Sequence, residues 1–100
     1  MSEPGVCYRL VGEVGFDNLM AARRDGEAAI AAAPDPAVID LSALENANSA
    51  VVALLMAWFR AARHQGKRIV FAHAPEGVRS IVALSGMTDV LPLGDEQPAH

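Results

Sequence analysis

Ala37-Val38-Ile39-Asp40-Leu41-Ser42-Ala43-Leu44-Glu45-Asn46-Ala47-Asn48-Ser49-Ala50, continuing into the unbroken apolar run from Val51 to Phe59, is the stretch that decides the fold. Ala37 to Leu41 has the apolar, β-branched content of a strand. The polar interval from Ser42 to Ser49 leads out of it, and the apolar run then has the length of a helix, stopping near Gln65 at Gly66. A strand that feeds such a helix is half of a β-α-β unit.

Reading outward, Val6-Cys7-Tyr8-Arg9-Leu10-Val11 is a first strand, with Val6, Tyr8 and Leu10 expected on one face and Cys7, Arg9 and Val11 on the other. Gly12 and Gly15 mark its exit. Asp17 or Asn18 then opens a helix to about Ala32 that carries Leu19, Met20, Ala22 and Ile30. Gly26 weakens its middle by about 1 kcal/mol relative to alanine, and Pro34-Asp35-Pro36 ends it. Arg68-Ile69-Val70-Phe71-Ala72 is a third strand. Pro75 suits a first helical position, Val78, Ile81, Val82 and Leu84 have helical spacing, and Gly86 closes that helix. Val90-Leu91-Pro92-Leu93 is expected as a short edge strand, where proline is tolerated. The order β-α-β-α-β-α-(β), without repeat or linker, predicts one α/β domain over residues 1–93, with 94–100 as a frayed tail.

Bulk properties narrow the function. The 100 residues support one core. A hydrophobic share of 52% against 20% charged indicates a globular chain. A net charge of −4 gives no broad footprint for nucleic acid. The lone Cys7, expected as a small core residue, suits a reducing compartment. Met1-Ser2-Glu3-Pro4 lacks the start of a secretory signal, and Ala50–Phe59 falls short of the ~20 residues of a membrane span. A cytoplasmic protein without direct membrane insertion is therefore expected. His64, His73 and His100 lack a convergent ligand pattern, so no metal is expected. The absence of a glycine-rich phosphate loop and of a nucleophile–base constellation points to no cofactor and no enzymatic activity.

The central helix divides into arcs at 100° per residue. Val51, Leu54, Leu55, Trp58, Ala61 and Ala62 form the core arc, flanked by Val52, Met56, Phe59 and Arg63. Opposite lie Ala53, Ala57, Arg60 and His64, with Ser49 at their N-terminal end. Ser49, Ala53, Met56, Ala57, Arg60 and His64 make a candidate docking strip. Small alanines admit a neighbouring backbone, methionine adapts to irregular surface and arginine anchors charge. The same alanines also serve as helix formers on a wetted face. Ser49 caps the helix, offers a hydroxyl to a partner, or accepts a phosphate that the helix dipole would welcome.

The segments also recur in the order of a known family. Leu10-Val11-Gly12-Glu13-Val14 is similar to a Gly-Glu-Leu strand ending, and Asp40-Leu41-Ser42 to an Asp-Leu-Ser turn. Asn48-Ser49-Ala50 falls at an Asp-Ser/Thr-small position. Gln65-Gly66, Pro75-Glu76-Gly77-Val78 and Leu84-Ser85-Gly86-Met87 follow in register. Over nearly its whole length the chain resembles the STAS domain, found in bacterial anti-sigma-factor antagonists and attached to sulfate transporters. The resemblance implies a small mixed sheet of about four strands with about three main helices packed on it.

Within that family, the compact length and the ending Thr88-Asp89-Val90-Leu91-Pro92 are most similar to the small cytoplasmic subunit of Gram-negative phospholipid ABC transporters. This implies a non-enzymatic adaptor that binds the transporter's ATPase subunit and reaches the membrane permease only indirectly. It would lie at the inner membrane through that partner, support outer-membrane lipid asymmetry, and have a homodimer open to it in isolation. The alternative is an anti-sigma-factor antagonist switched by phosphorylation of Ser49. Asn48 stands where such antagonists carry an acidic residue, and Ala50-Val51 replaces Ser/Gly-Gly, so docking survives these departures better than kinase recognition does.

Overall fold

The computed structural model describes residues 5–93, so the expected tail of 94–100 lies outside the described residues. In chain order the elements are β1 (Val6–Arg9), α1 (Leu19–Ala32), β2 (Ala37–Asp40), α2 (Ser49–His64), β3 (Ile69–Ala72) and α3 (Glu76–Leu84). The strands form one sheet in the order β1-β2-β3, and both pairings are parallel. The α/β class and the three helices match expectation; the sheet does not. Among the described residues it is wholly parallel and three-stranded, and the expected fourth strand is reduced to one bridge between Phe71 and Leu93. Pro92 explains this. Its carbonyl accepts from the Phe71 N–H at 3.0 Å, but its own nitrogen has no proton to continue a ladder.

Register sets the two faces of the sheet. Tyr8, Ile39 and Phe71 lie side by side, as do Val6, Val38 and Val70 on the opposite row. A shift at Cys7 separates Val6 from the row of Tyr8, contrary to the simple alternation expected for β1. Cys7 itself is half-buried against the core rather than enclosed by it, and burial raises its thiol pKa. Because α1 packs on α2 and α2 on α3, the helices make one layer, over the face that bears Tyr8, Ile39 and Phe71. Val6, Val38 and Val70 remain half-buried on the other face.

Trp58 anchors that layer. It is fully enclosed, meets the Tyr8 ring edge-on with centroids 5.6 Å apart, and donates from Nε1 to the Arg23 carbonyl of α1 at 3.1 Å. Gly26 is the other half of this contact, since a Cβ there would overlap the indole of Trp58. A residue that weakens an isolated helix is here the condition for packing it.

At the far end of α1, Lys67 Nζ donates to the carbonyls of Ile30 (2.7 Å), Ala31 (3.0 Å) and Ala33 (2.6 Å). Lys67 therefore satisfies carbonyls at the C-terminal end of α1, which the helix itself leaves short of donors. In α3, Pro75 is the N-cap rather than the first helical residue. Val78 and Val82 are buried and Ile81 is half-buried, but Leu84 is 84% exposed and does not share their face. Among the described residues no helix is long and apolar enough to cross a membrane.

Candidate functional site

The entry to α2 is positioned from β1. Gly12 bridges to Leu44, extending the parallel pairing beyond the strands proper, and the Glu45 N–H donates to the Gly12 carbonyl at 2.8 Å. This brings Val14 against the loop before α2. Its N–H donates to Asn46 Oδ1 at 3.0 Å, and its carbonyl accepts from Asn46 Nδ2 (2.9 Å) and Asn48 Nδ2 (3.0 Å). Asn48 Oδ1 in turn accepts from the Val51 N–H at 3.0 Å. Asn48, not Ser49, is therefore the N-cap. Ser49 is the first helical residue and exposed, so its hydroxyl is spared the capping role.

Beneath this loop, Asp40 is the buried charged residue of the core region, with its side chain 3% exposed. Its Oδ2 accepts from Arg9 Nε at 3.0 Å and its Oδ1 from the Ser42 N–H at 2.9 Å. Burial pushes the Asp40 carboxyl up, but the Ser42 hydrogen bonds and the Arg9 guanidinium together hold it below the usual aspartate range. The Asp-Leu-Ser turn thus fixes the direction in which the chain leaves β2, a structural role rather than a catalytic one.

The proposed strip is largely one surface. Ser49, Ala53, Arg60 and His64 are exposed and Ala57 is half-buried. Ala57, Arg60 and His64 line a shallow groove of about 350 Å³ together with Ala61 and Gln65 of the same segment and Arg23 and Glu27 of α1. Met56 departs from the strip, being half-buried and packed against the core. The core arc shifts slightly from expectation: Ala50 and Val52 are buried, whereas Ala61 is half-buried at the groove. Arg23 Nε is paired with Glu27 Oε2 at 2.8 Å, while Arg60 makes no ion pair among the described residues. On the other flank the Arg63 guanidinium lies 5.8 Å from the centroid of the Phe59 ring. Among the described residues no group of three His, Cys, Asp or Glu side chains could hold a metal ion.

The sequence alone missed two parts of this surface. Arg23 and Glu27 carried the signal of an i,i+4 ion pair, but nothing local showed that they border α2. Met20, one of the apolar residues expected on α1, is 57% exposed, and Phe16, in the turn that precedes the helix, is 73% exposed.

A family model described as the MlaB STAS domain matches residues 4–93. The chain belongs to the MlaB-type STAS family. A chain of the Acinetobacter MlaFEDB complex in its ATP-bound Vtrans2 conformation is similar to it in structure, with a TM-score of 0.75 and 26% identity. That similarity covers 85% of this chain and 90% of the other. No curated protein sequence matches the chain. The three helices layered on one parallel sheet are thus an instance of the STAS fold, in which the entry to α2 holds a half-buried Asn48 and an exposed Ser49.

Proposed function

We propose that this chain is the STAS subunit of an Mla-type phospholipid ABC transporter and that it acts as a non-enzymatic adaptor on the ATPase subunit, an MlaF-like protein. The carrying observation is the match, over most of both chains, to a chain within a solved MlaFEDB complex. The geometry supports the same reading. A hydroxyl freed from capping and two alanines at one edge of an exposed helix face allow close approach, and Arg60 supplies a charge that has no ion pair among the described residues. In this role the protein sits on the cytoplasmic side of the inner membrane through its partner, meets the permease only indirectly, and supports outer-membrane lipid asymmetry.

The test is co-purification with the transporter's ATPase subunit expressed alongside it. Wild type is expected to co-elute with the ATPase, and Ser49→Arg to lose it while keeping its melting temperature. Equal recovery of the ATPase by both proteins rejects the proposed face. The second reading, an anti-sigma-factor antagonist, draws on the same exposed hydroxyl. Phosphorylation there adds about −1.5 to −2 charges at a helix N-terminus. Intact mass after incubation with native lysate and ATP distinguishes them, because the antagonist reading requires a phosphate on Ser49 and the adaptor reading does not.

A further inference from the structure

We infer that the groove at the outer edge of β3 is a binding site for a long-chain fatty acid, with the carboxylate on Arg63 and the acyl chain along Phe59, Ile69, Val70 and Pro92. The groove exists because the sheet stops early. Parallel pairing turns alternate peptide groups of β3 towards β2, where the Arg68 and Ala72 carbonyls accept from the Ala37 and Leu41 N–H groups. The peptide groups of Ile69 and Phe71 therefore face the outer edge. The Phe71 N–H is taken by the Pro92 carbonyl, but among the described residues no strand continues beside Ile69. Between that edge and the last turns of α2 lies a hollow of about 460 Å³, within the range of about 300–1,000 Å³ typical of small-molecule sites.

The lining selects the occupant. Phe59, Ile69, Val70 and Pro92 give the hollow an apolar wall, and its other lining residues are Arg63, Lys67 and Arg68, with no carboxylate among them. In a chain of net charge −4 this rim is cationic. Its three cations are not equivalent. Arg68 Nε is paired with Asp35 Oδ1 at 3.2 Å, and Lys67 Nζ is tied to three carbonyls at the end of α1. Arg63 has no ion pair among the described residues, and its guanidinium stands 5.8 Å from the centroid of the Phe59 ring, where rim meets wall. One such guanidinium matches one carboxylate, gripped by two parallel N–H donors. A polar peptide would leave the apolar wall unfilled, and the single outward residue Ile69 is too short an edge for strand addition. A neutral apolar ligand would leave Arg63 without a counter-charge. One acyl chain ending in a carboxylate satisfies both parts. The hollow shares no residue with the groove between α1 and α2, so this inference stands apart from the adaptor reading.

The test titrates the full ¹⁵N-labelled chain with laurate below its micelle concentration and follows the backbone amides. Saturable binding is expected, with the largest shifts at Phe59, Ile69 and Val70. Butyrate, which has the head without the chain, and dodecyltrimethylammonium, which has the chain with a cationic head, are each expected to bind at least tenfold more weakly. Arg63→Glu should weaken laurate binding at least tenfold at an unchanged melting temperature. Arg24→Glu, the same charge change at an exposed position of α1 outside the groove, should stay within twofold of wild type. Shifts centred elsewhere overturn the site, as does equal binding of either control ligand. Equal losses in the two variants reduce the effect to overall charge and overturn it too. If laurate leaves these amides unmoved while the ATPase subunit shifts them, the groove is a protein contact and the fatty-acid site is rejected. Should Arg63→Glu melt early, Arg63→Gln is judged by the same tenfold limit.

Discussion

The inner and outer sides of α2 are made of similar residues and do opposite things. Alanine occurs on both: Ala50 and Ala62 are fully enclosed, Ala53 is exposed and Ala57 borders an open groove. Inside, smallness lets α2 lie close to its neighbours, and the large Trp58 is admitted only because Gly26 faces it. Outside, smallness leaves backbone within reach of another polypeptide. The difference is angular phase, not composition. An alanine-rich helix therefore declares its docking side only once the side that meets the sheet is known.

The sharpest way to break this contrast is from the inside. Trp58→Ala removes a buried indole together with its Tyr8 contact and its hydrogen bond to the Arg23 carbonyl. It is expected to cost about 3–5 kcal/mol, read as a lower denaturant midpoint in urea, and ATPase binding should vanish only because the fold does. Gly26→Ala attacks the same contact from α1. Helix propensity alone predicts a gain of about 1 kcal/mol, whereas overlap with Trp58 predicts a net loss of about 1–3 kcal/mol. The sign of the measured change decides whether packing or propensity rules this position.

Much of this contrast was legible in the sequence. The unbroken apolar run, interrupted first at Arg60 and again at Arg63 and His64, gave the length of α2 and the centre of its outer side. What escaped depends on tertiary contact. Asn48 and Ser49 are both good caps, and Val14, reached through thirty-odd residues of intervening chain, holds Asn48 in place. Met20 and Leu84 sit at the margins of helical apolar patterns, where a rotation of one position exchanges burial for exposure. The groove needed α1 and α2 side by side, which no local pattern supplies. The fourth strand was misjudged because Pro92 can accept a single bridge without extending it.

Smaller effects probe the hinge between the two sides. Asn48→Ala removes the cap and one of the bonds to the Val14 carbonyl, and should cost about 0.5–2 kcal/mol. If the proposed adaptor face holds, it should also lower ATPase affinity, because the first turn carrying Ser49 frays. Asp40 adds a pH dependence. Its carboxyl is held below the ordinary value, so its contribution is present above the unfolded pKa of about 3.9 and is lost as pH falls through the folded one. Melting temperatures from pH 7 to pH 3 should fall more steeply for wild type than for Asp40→Asn. Parallel curves would remove the Arg9–Asp40–Ser42 cluster from the account.

The smallest expected effect on stability falls on the outer side. Ala53→Arg places a good helix former on an exposed position with no buried neighbour to displace, so unfolding free energy should move by less than about 0.5 kcal/mol. Yet the new side chain stands between Ser49 and Ala57, where a partner would have to approach the backbone. Loss of ATPase co-purification without loss of stability would separate the two sides of α2 as cleanly as one substitution can. A destabilised Ala53→Arg would instead mean that the outer side is packed within the chain, and that the helix has no free face to offer.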